Sequence, residues 1–140
     1  MKGLVGRRQR MLRVRHAQHA LAVVETMQAR DAADQIASNA ERLRRVREEL
    51  FQTDGSLLGG SFAAYRELAG RLETAGRQLD GALYDARRKA DEKHGKQVEA
   101  NREREIASRL KDKARADLEE MIEARIAALP RYRRNEKGEP

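Results

Sequence analysis

The amino-acid sequence predicts an all-α protein: two long helices folded into an antiparallel coiled-coil hairpin, the second helix longer than the first. Three observations carry that prediction. Apolar residues recur at spacings of three and four, the composition is that of a long helix, and the strongest turn signals fall in one short stretch. The chain has 140 residues, 39% hydrophobic and 38% charged, with two Phe, three Tyr and no Trp. That is too little bulk for a globular core of this length, and Ala, Glu, Arg, Lys and Leu dominate as in coiled coils. High charge also suits disorder, but apolar residues at helical spacing argue against it.

The first helix is placed from about residue 8 to residue 51. Its apolar positions include Leu12, Ala20, Val24, Met27, Ala33, Ile36, Ala40, Leu43, Val46 and Leu50. Ile36, Leu43 and Leu50 are seven apart, and Ala33 and Ala40 complete the seam between them. Arg47 is a defect where the pattern asks for an apolar residue, and Val46 is the substitute beside it. Residues 52–60 hold Asp54-Gly55 and Gly59-Gly60, which read as the turn, with Ser61 as the N-cap of the next helix. Leu57 and Leu58 would close the end of the seam or serve as a docking tip.

The second helix runs from about residue 61 to residue 129, roughly 100 Å at 1.5 Å per residue. Leu68, Leu72, Ala75, Leu79, Leu83, Ala86 and Ala90 form its seam, which returns at Ile106, Leu110, Ala114, Leu118, Met121, Ile122, Ile126 and Leu129. Pro130 ends it. Residues 91–105 are the weak stretch, offering the seam little beyond Val98. Gly70, Gly76, Gly81 and Gly95 also lie inside the helix, each at a cost of about 1 kcal/mol relative to Ala. The tail, 131–140, is polar and reads as disordered, leaving residues 1–130 as a single hairpin.

A hairpin folded about Ser56 would set residue n opposite about 112 − n. About twenty residues of the second helix, Leu110 to Leu129, would then have no cover from the first, and a bare apolar stripe marks a binding surface. Pairing of this stripe with another copy, a homodimer, is the alternative.

The charge adds a second feature. The net charge is +7, and residues 1–24 hold six cations (Lys2, Arg7, Arg8, Arg10, Arg13, Arg15) and no acid. Such an arm suits nucleic acid, anionic lipid or an acidic protein surface. It lacks aromatics for base stacking and a zipper directly after it, so nucleic acid is not the expected partner. There is no Cys and no phosphate loop, and no nucleophile with a base is evident. Adjacent carboxylates such as Glu119 and Glu120 point outward. No enzymatic activity, small-molecule substrate or cofactor is expected. His16, His19 and His94 read as solvated rather than as metal ligands.

The basic start, two long helices, Gly-bearing turn and basic tail resemble the FliJ family, components of the flagellar type III export apparatus. The stretch from Phe62 through Tyr65, Leu68, Leu72 and Ala75 is similar to that family's second-helix start, and residues 102–129 resemble its charged carboxy-terminal end. The resemblance implies a cytoplasmic stalk, associated peripherally with the inner membrane, like the central shaft of rotary ATPases. Its implied partners are the export ATPase ring, the membrane-embedded export gate and export chaperones. By position, Leu68, Leu72 and Ala75 match the gate-docking stripe, whose next position is Leu79 here. Taken with the bare stripe, the same picture assigns Arg7, Arg8, Arg10, Leu110, Leu118, Ile122 and Ile126 to the ring. A structural coiled-coil scaffold and a basic nucleic-acid-binding hairpin are the alternatives, as is an injectisome homologue of the flagellar component.

Overall fold

The computed structural model describes residues 2–52 and 59–130, with backbone alone at 59–61. Two helices account for nearly all of them: α1, Lys2–Gln52, and α2, Gly59–Ala128. They pack against each other as a helical hairpin, and the second is the longer, 70 residues against 51. Ala, Arg, Glu and Leu are strong helix formers, and no proline interrupts either helix. Leu129 N–H donates to the Ile126 carbonyl at 3.2 Å as the last turn tightens ahead of Pro130.

Several boundaries differ from expectation. Helix α1 begins six residues early, at Lys2 rather than residue 8. Helix α2 already includes Gly59 and Gly60, so these belong to the helix rather than the turn, and Ser61 sits in its first turn instead of capping it. Residues 53–58, with Leu57 and Leu58, lie outside the described residues, as does the 131–140 tail.

The chain forms two compact units. Among the described residues, 18–52 and 59–100 make up one, here unit two. Its α1 seam runs His19, Ala22, Thr26, Ala29, Ala33, Ile36, Ala40, Leu43, Arg47, Leu50, all buried or half-buried. The α2 seam, from Tyr65 and Ala69 to Gln97 and Ala100, alternates steps of four and three without a break. Both ladders repeat every seven residues, the period that holds a seam against a partner helix.

The core of unit two changes along its length. Toward residue 50 it is Ile36, Leu43, Leu50 with Leu72, Leu79 and Leu83. Toward residue 18 it is alanine, with Ala29, Ala33 and Ala90 buried and Lys93 and Gln97 at seam positions. Among the described residues Thr26 is the most enclosed side chain, 1% exposed, and its hydroxyl donates to the Ala22 carbonyl at 2.8 Å. Near the turn, Phe51 and Tyr65 stack edge to face, centroids 6.2 Å apart, and Tyr65 OH donates to the Leu50 carbonyl at 3.4 Å. That bond reaches one of the last-turn carbonyls that α1 cannot satisfy by itself.

Unit one comprises 2–17 and 101–130 of the described residues. Leu12, Ala107 and Ala114 are buried, with Val5, Arg8, Arg15, Arg104, Lys111 and Leu118 half-buried around them.

The register departs from the expected 112 − n. Glu25 pairs with Lys93 in unit two and Arg15 with Glu103 in unit one, so in each residue n lies opposite 118 − n. The cause lies near the turn. Helix α2 starts early, and residues 62–64 are exposed beyond the last α1 contacts, so the pairing is not centred on the connection. With α1 starting at Lys2, cover in unit one reaches about residue 116, since 118 − 2 = 116. The bare part of α2 is therefore about a dozen residues, not twenty, and Leu110 is outside it.

Assignments within the helices shift too. Ala20, Val24 and Met27 are exposed and off the α1 seam, as are Leu68, Val98 and Ile106 on α2. Arg47 occupies the seam itself, while Val46 is 49% exposed and does not replace it. Gly76 stands opposite: a Cβ there would lie 3.7 Å from Arg47 Nη1 and 3.8 Å from Leu43 Cδ2. The weak stretch 91–105 is continuous helix, its seam held by Lys93, Gln97, Ala100 and Arg104.

Candidate functional site

The surfaces that could receive a partner follow from where the seam runs out and where charge goes unmatched. On α2 beyond residue 116 the ladder continues through Leu118 and Met121, but α1 has no residue to set opposite. Ile122, Ile126 and Leu129, beside this ladder rather than on it, are 41%, 62% and 64% exposed. Asp117, Glu119, Glu120 and Glu123 flank this stripe. Arg125, in the last turn, complements the negative end of the helix dipole.

Beside it in unit one, Arg8, Met11, Arg15, Glu103, Ile106 and Leu110 line an open cleft of about 320 Å³. Arg15 Nη1 meets Glu103 Oε2 at 2.7 Å across it. Ile106 and Met11, 56% and 48% exposed, form apolar walls next to two guanidinium groups. Four more cations, Lys2, Arg7, Arg10 and Arg13, lie on the same stretch of α1. Among the described residues neither they nor Arg8 have an ion pair. The first turn of α1 holds no acid to offset the positive end of its dipole. Repulsion within this arm is a standing cost that an anionic surface would relieve.

Of the residues assigned to a ring, Arg8 and Leu110 share this cleft, and Leu118, Ile122 and Ile126 lie on the bare end of α2. Arg7 and Arg10 are exposed on the arm. The residues assigned to a gate divide. Leu72 and Ala75 are half-buried at the seam, as is Leu79, while Leu68 is 45% exposed; Leu68 and Leu72 together line an open cleft of about 310 Å³ with Val46, Glu49 and Leu50. Of the three, Leu68 and Leu72 share the wall of this cleft, with Leu68 the more exposed, and Ala75 does not line it.

The histidines separate as well. His94 is exposed, and its Nδ1 lies 3.2 Å from Arg30 Nη2. His16 is exposed and His19 half-buried on α1. Among the described residues no three His, Cys, Asp or Glu side chains converge to hold a metal. No described helix is long and apolar enough to cross a membrane.

Two features escaped sequence reasoning. Arg47 holds a buried Nε with no hydrogen-bond partner. An outward face of α1 carries Leu21, Val24 and Met27, each about half exposed or more. The signal for both was the ladder Val5, Leu12, His19, Thr26, Ala33, Ala40, Arg47: followed through its polar members, it sets Arg47 inside and Val24 outside. Comparison with protein families, curated proteins and solved structures gives no match for this chain.

Proposed function

We propose that this protein is a non-enzymatic docking hairpin, and that unit one engages an acidic, partly apolar surface on a protein partner. What carries the reading is one juxtaposition: Ile122 and Ile126 without cover, in the same unit as five cations without a counter-ion. Apolar contact supplies affinity there, and the cations supply attraction and orientation that weaken as salt screens them.

The resemblance to FliJ proteins extends this reading to a role. In it the chain is a stalk of the flagellar type III export apparatus, acting in the cytoplasm at the inner membrane. Arg7, Arg8, Arg10, Leu110, Leu118, Ile122 and Ile126 meet the export ATPase ring. Leu68, with the half-buried Leu72 and Ala75 beneath it, faces the export gate, and the hairpin cycles export chaperones.

The test is association of the purified full chain with a hexameric export ATPase. Replacing Leu118 and Ile122 together by Asp is expected to abolish binding while far-UV helicity stays nearly intact. Replacing Arg7, Arg8 and Arg10 by Gln should lower affinity and flatten its salt dependence. Association unchanged by the Asp pair would remove the stripe from the interface, and preference for duplex DNA over the ATPase would replace this function by a nucleic-acid one.

A further inference from the structure

We propose that the cleft between α1 and α2 in unit one seats an amphipathic α-helix of the partner, with one of that helix's carboxylates on Arg8. The inference rests on the docking reading above and names the element that docks. In unit one Val5, Arg8, Leu12 and Arg15 follow one another at steps of three, four and three, so two arginines hold seam positions. Met11, Ile106 and Leu110 stand beside the seams and are 48%, 56% and 37% exposed. Two-stranded coils are ordinarily built the other way, apolar at the seam and charged beside it. Charge within and apolar side chains at the rim suit a bundle whose third helix comes from another molecule.

The shape and charge of the cleft select its occupant. The α1 wall, Arg8, Met11 and Arg15, and the α2 wall, Glu103, Ile106 and Leu110, each advance by three and then four residues. Each wall therefore spans two turns, roughly 10 Å, and the pair forms a groove that the ridge of a third helix can enter. In the register set by Arg15 and Glu103, Arg8 and Leu110 mark one end of the groove and that ion pair the other. Glu103 already holds Arg15 at 2.7 Å, and a further carboxylate there would meet it as a like charge. Arg8 is half-buried, and among the described residues it has no ion pair. The occupant is thus apolar along its middle, acidic toward Arg8 and free of acid toward Glu103.

Two turns of contact fall well short of the roughly 800 Å² per partner of a stable interface, so this seat is weak by itself. It supplies orientation, and the bare end of α2 in the same unit adds contact area. Because Arg8 is only partly enclosed, its pairing with the incoming carboxylate weakens as salt screens it.

The probe is a synthetic helical peptide of about four turns, with one leucine stripe and a single Glu near its amino terminus. Its control carries Gln in place of that Glu. Fluorescence anisotropy with the full chain should show the Glu peptide binding with a Kd of about 0.1–1 mM. The control should bind about fivefold more weakly. Arg8→Gln should abolish that difference, whereas Arg115→Gln, exposed and outside the cleft, should preserve it. Ile106→Asp should lose both peptides at unchanged far-UV helicity. Absence of peptide binding, binding indifferent to Ile106→Asp, or a Glu–Gln difference that survives Arg8→Gln would overturn the proposal. So would anionic lipid vesicles that bind through Ile106 when neither peptide does. ATPase association lost on replacing Leu118 and Ile122 by Asp, yet untouched by Ile106→Asp, would keep the docking reading and overturn this seat alone.

Discussion

Between residues 18–52 and 59–100, thirteen cations stand against thirteen anions, whereas 2–17 and 101–130 carry six and seven cations against seven anions, all on α2. The balanced unit spends its charges locally. Glu67 with Arg71 and Glu73 with Arg77 pair one helical turn apart, and Glu25 reaches Lys93 on the other helix. The unbalanced unit leaves most of the α1 arm unmatched. Exposed pairs one turn apart add only tenths of a kcal/mol each, so stability differs little on this account. What differs is the field each unit presents: near neutrality in one, an attractive potential for anions in the other. The acidic partner proposed above accordingly belongs on the basic end.

The comparison can be broken most directly at Leu12, among the described residues the one large apolar side chain that is buried in unit one, at 8% exposure. Leu12→Ala is expected to cost about 3 kcal/mol, read by urea denaturation. Hydrogen exchange should show the loss concentrated at 2–17 and 101–116, with amides around Leu43 and Leu79 still protected.

A smaller effect of opposite sign is expected in unit two. Arg47 keeps its Nε buried without a partner; Leu43, which meets the same Gly76, offers it none, and Glu41 and Asp80 line the open cleft beside it without bonding that atom. Arg47→Leu should stabilise the hairpin by about 1–2 kcal/mol, because an unsatisfied buried polar group is removed. A lower melting temperature would show that the guanidinium contributes more than its burial costs. Gly76→Ala should add about 1 kcal/mol, since the new Cβ meets Arg47 and Leu43 at ordinary contact distance while the helix gains alanine's propensity. Gly95→Ala, in open space, should approach the same gain.

The smallest expected change is at the inter-helix pair of unit one. Arg15 and Glu103 are 32% and 43% exposed, and Glu103→Gln should cost about 0.5 kcal/mol or less, shrinking further in high salt. A loss several times larger would mean that this pair, rather than Leu12, organises the unit.

Much of the fold was legible in the residues. Ile36, Leu43 and Leu50 at sevens announced the α1 seam, and Pro130 marked the end of α2 to within two residues. The candidate site was legible in part. Ile122 and Ile126 lie past the reach of α1, as an unequal pair of helices predicts, but they also stand beside the Leu118–Met121 ladder rather than on it; Leu110 lies within that reach because the register is displaced by six, and is 37% exposed. Apolar type alone places Val24, Met27 and Leu68 on the seams, whereas all three stand outside them. Where a seam accepts His19, Thr26, Arg47, Lys93 and Gln97, polarity no longer distinguishes inside from outside.

The sequence alone determined that there would be two long helices, that the second would outrun the first, and that positive charge would gather at the amino terminus. Helix propensity and the three-four spacing of apolar residues act within a few turns, so they can be read without knowing the partner. The register, the enclosure of Arg47 against Gly76 and the exposure of Leu21 and Val24 were decided only when one helix lay against the other. A helix has many faces and can slide along its neighbour by a turn at little local cost, so only close packing across the whole seam selects one arrangement.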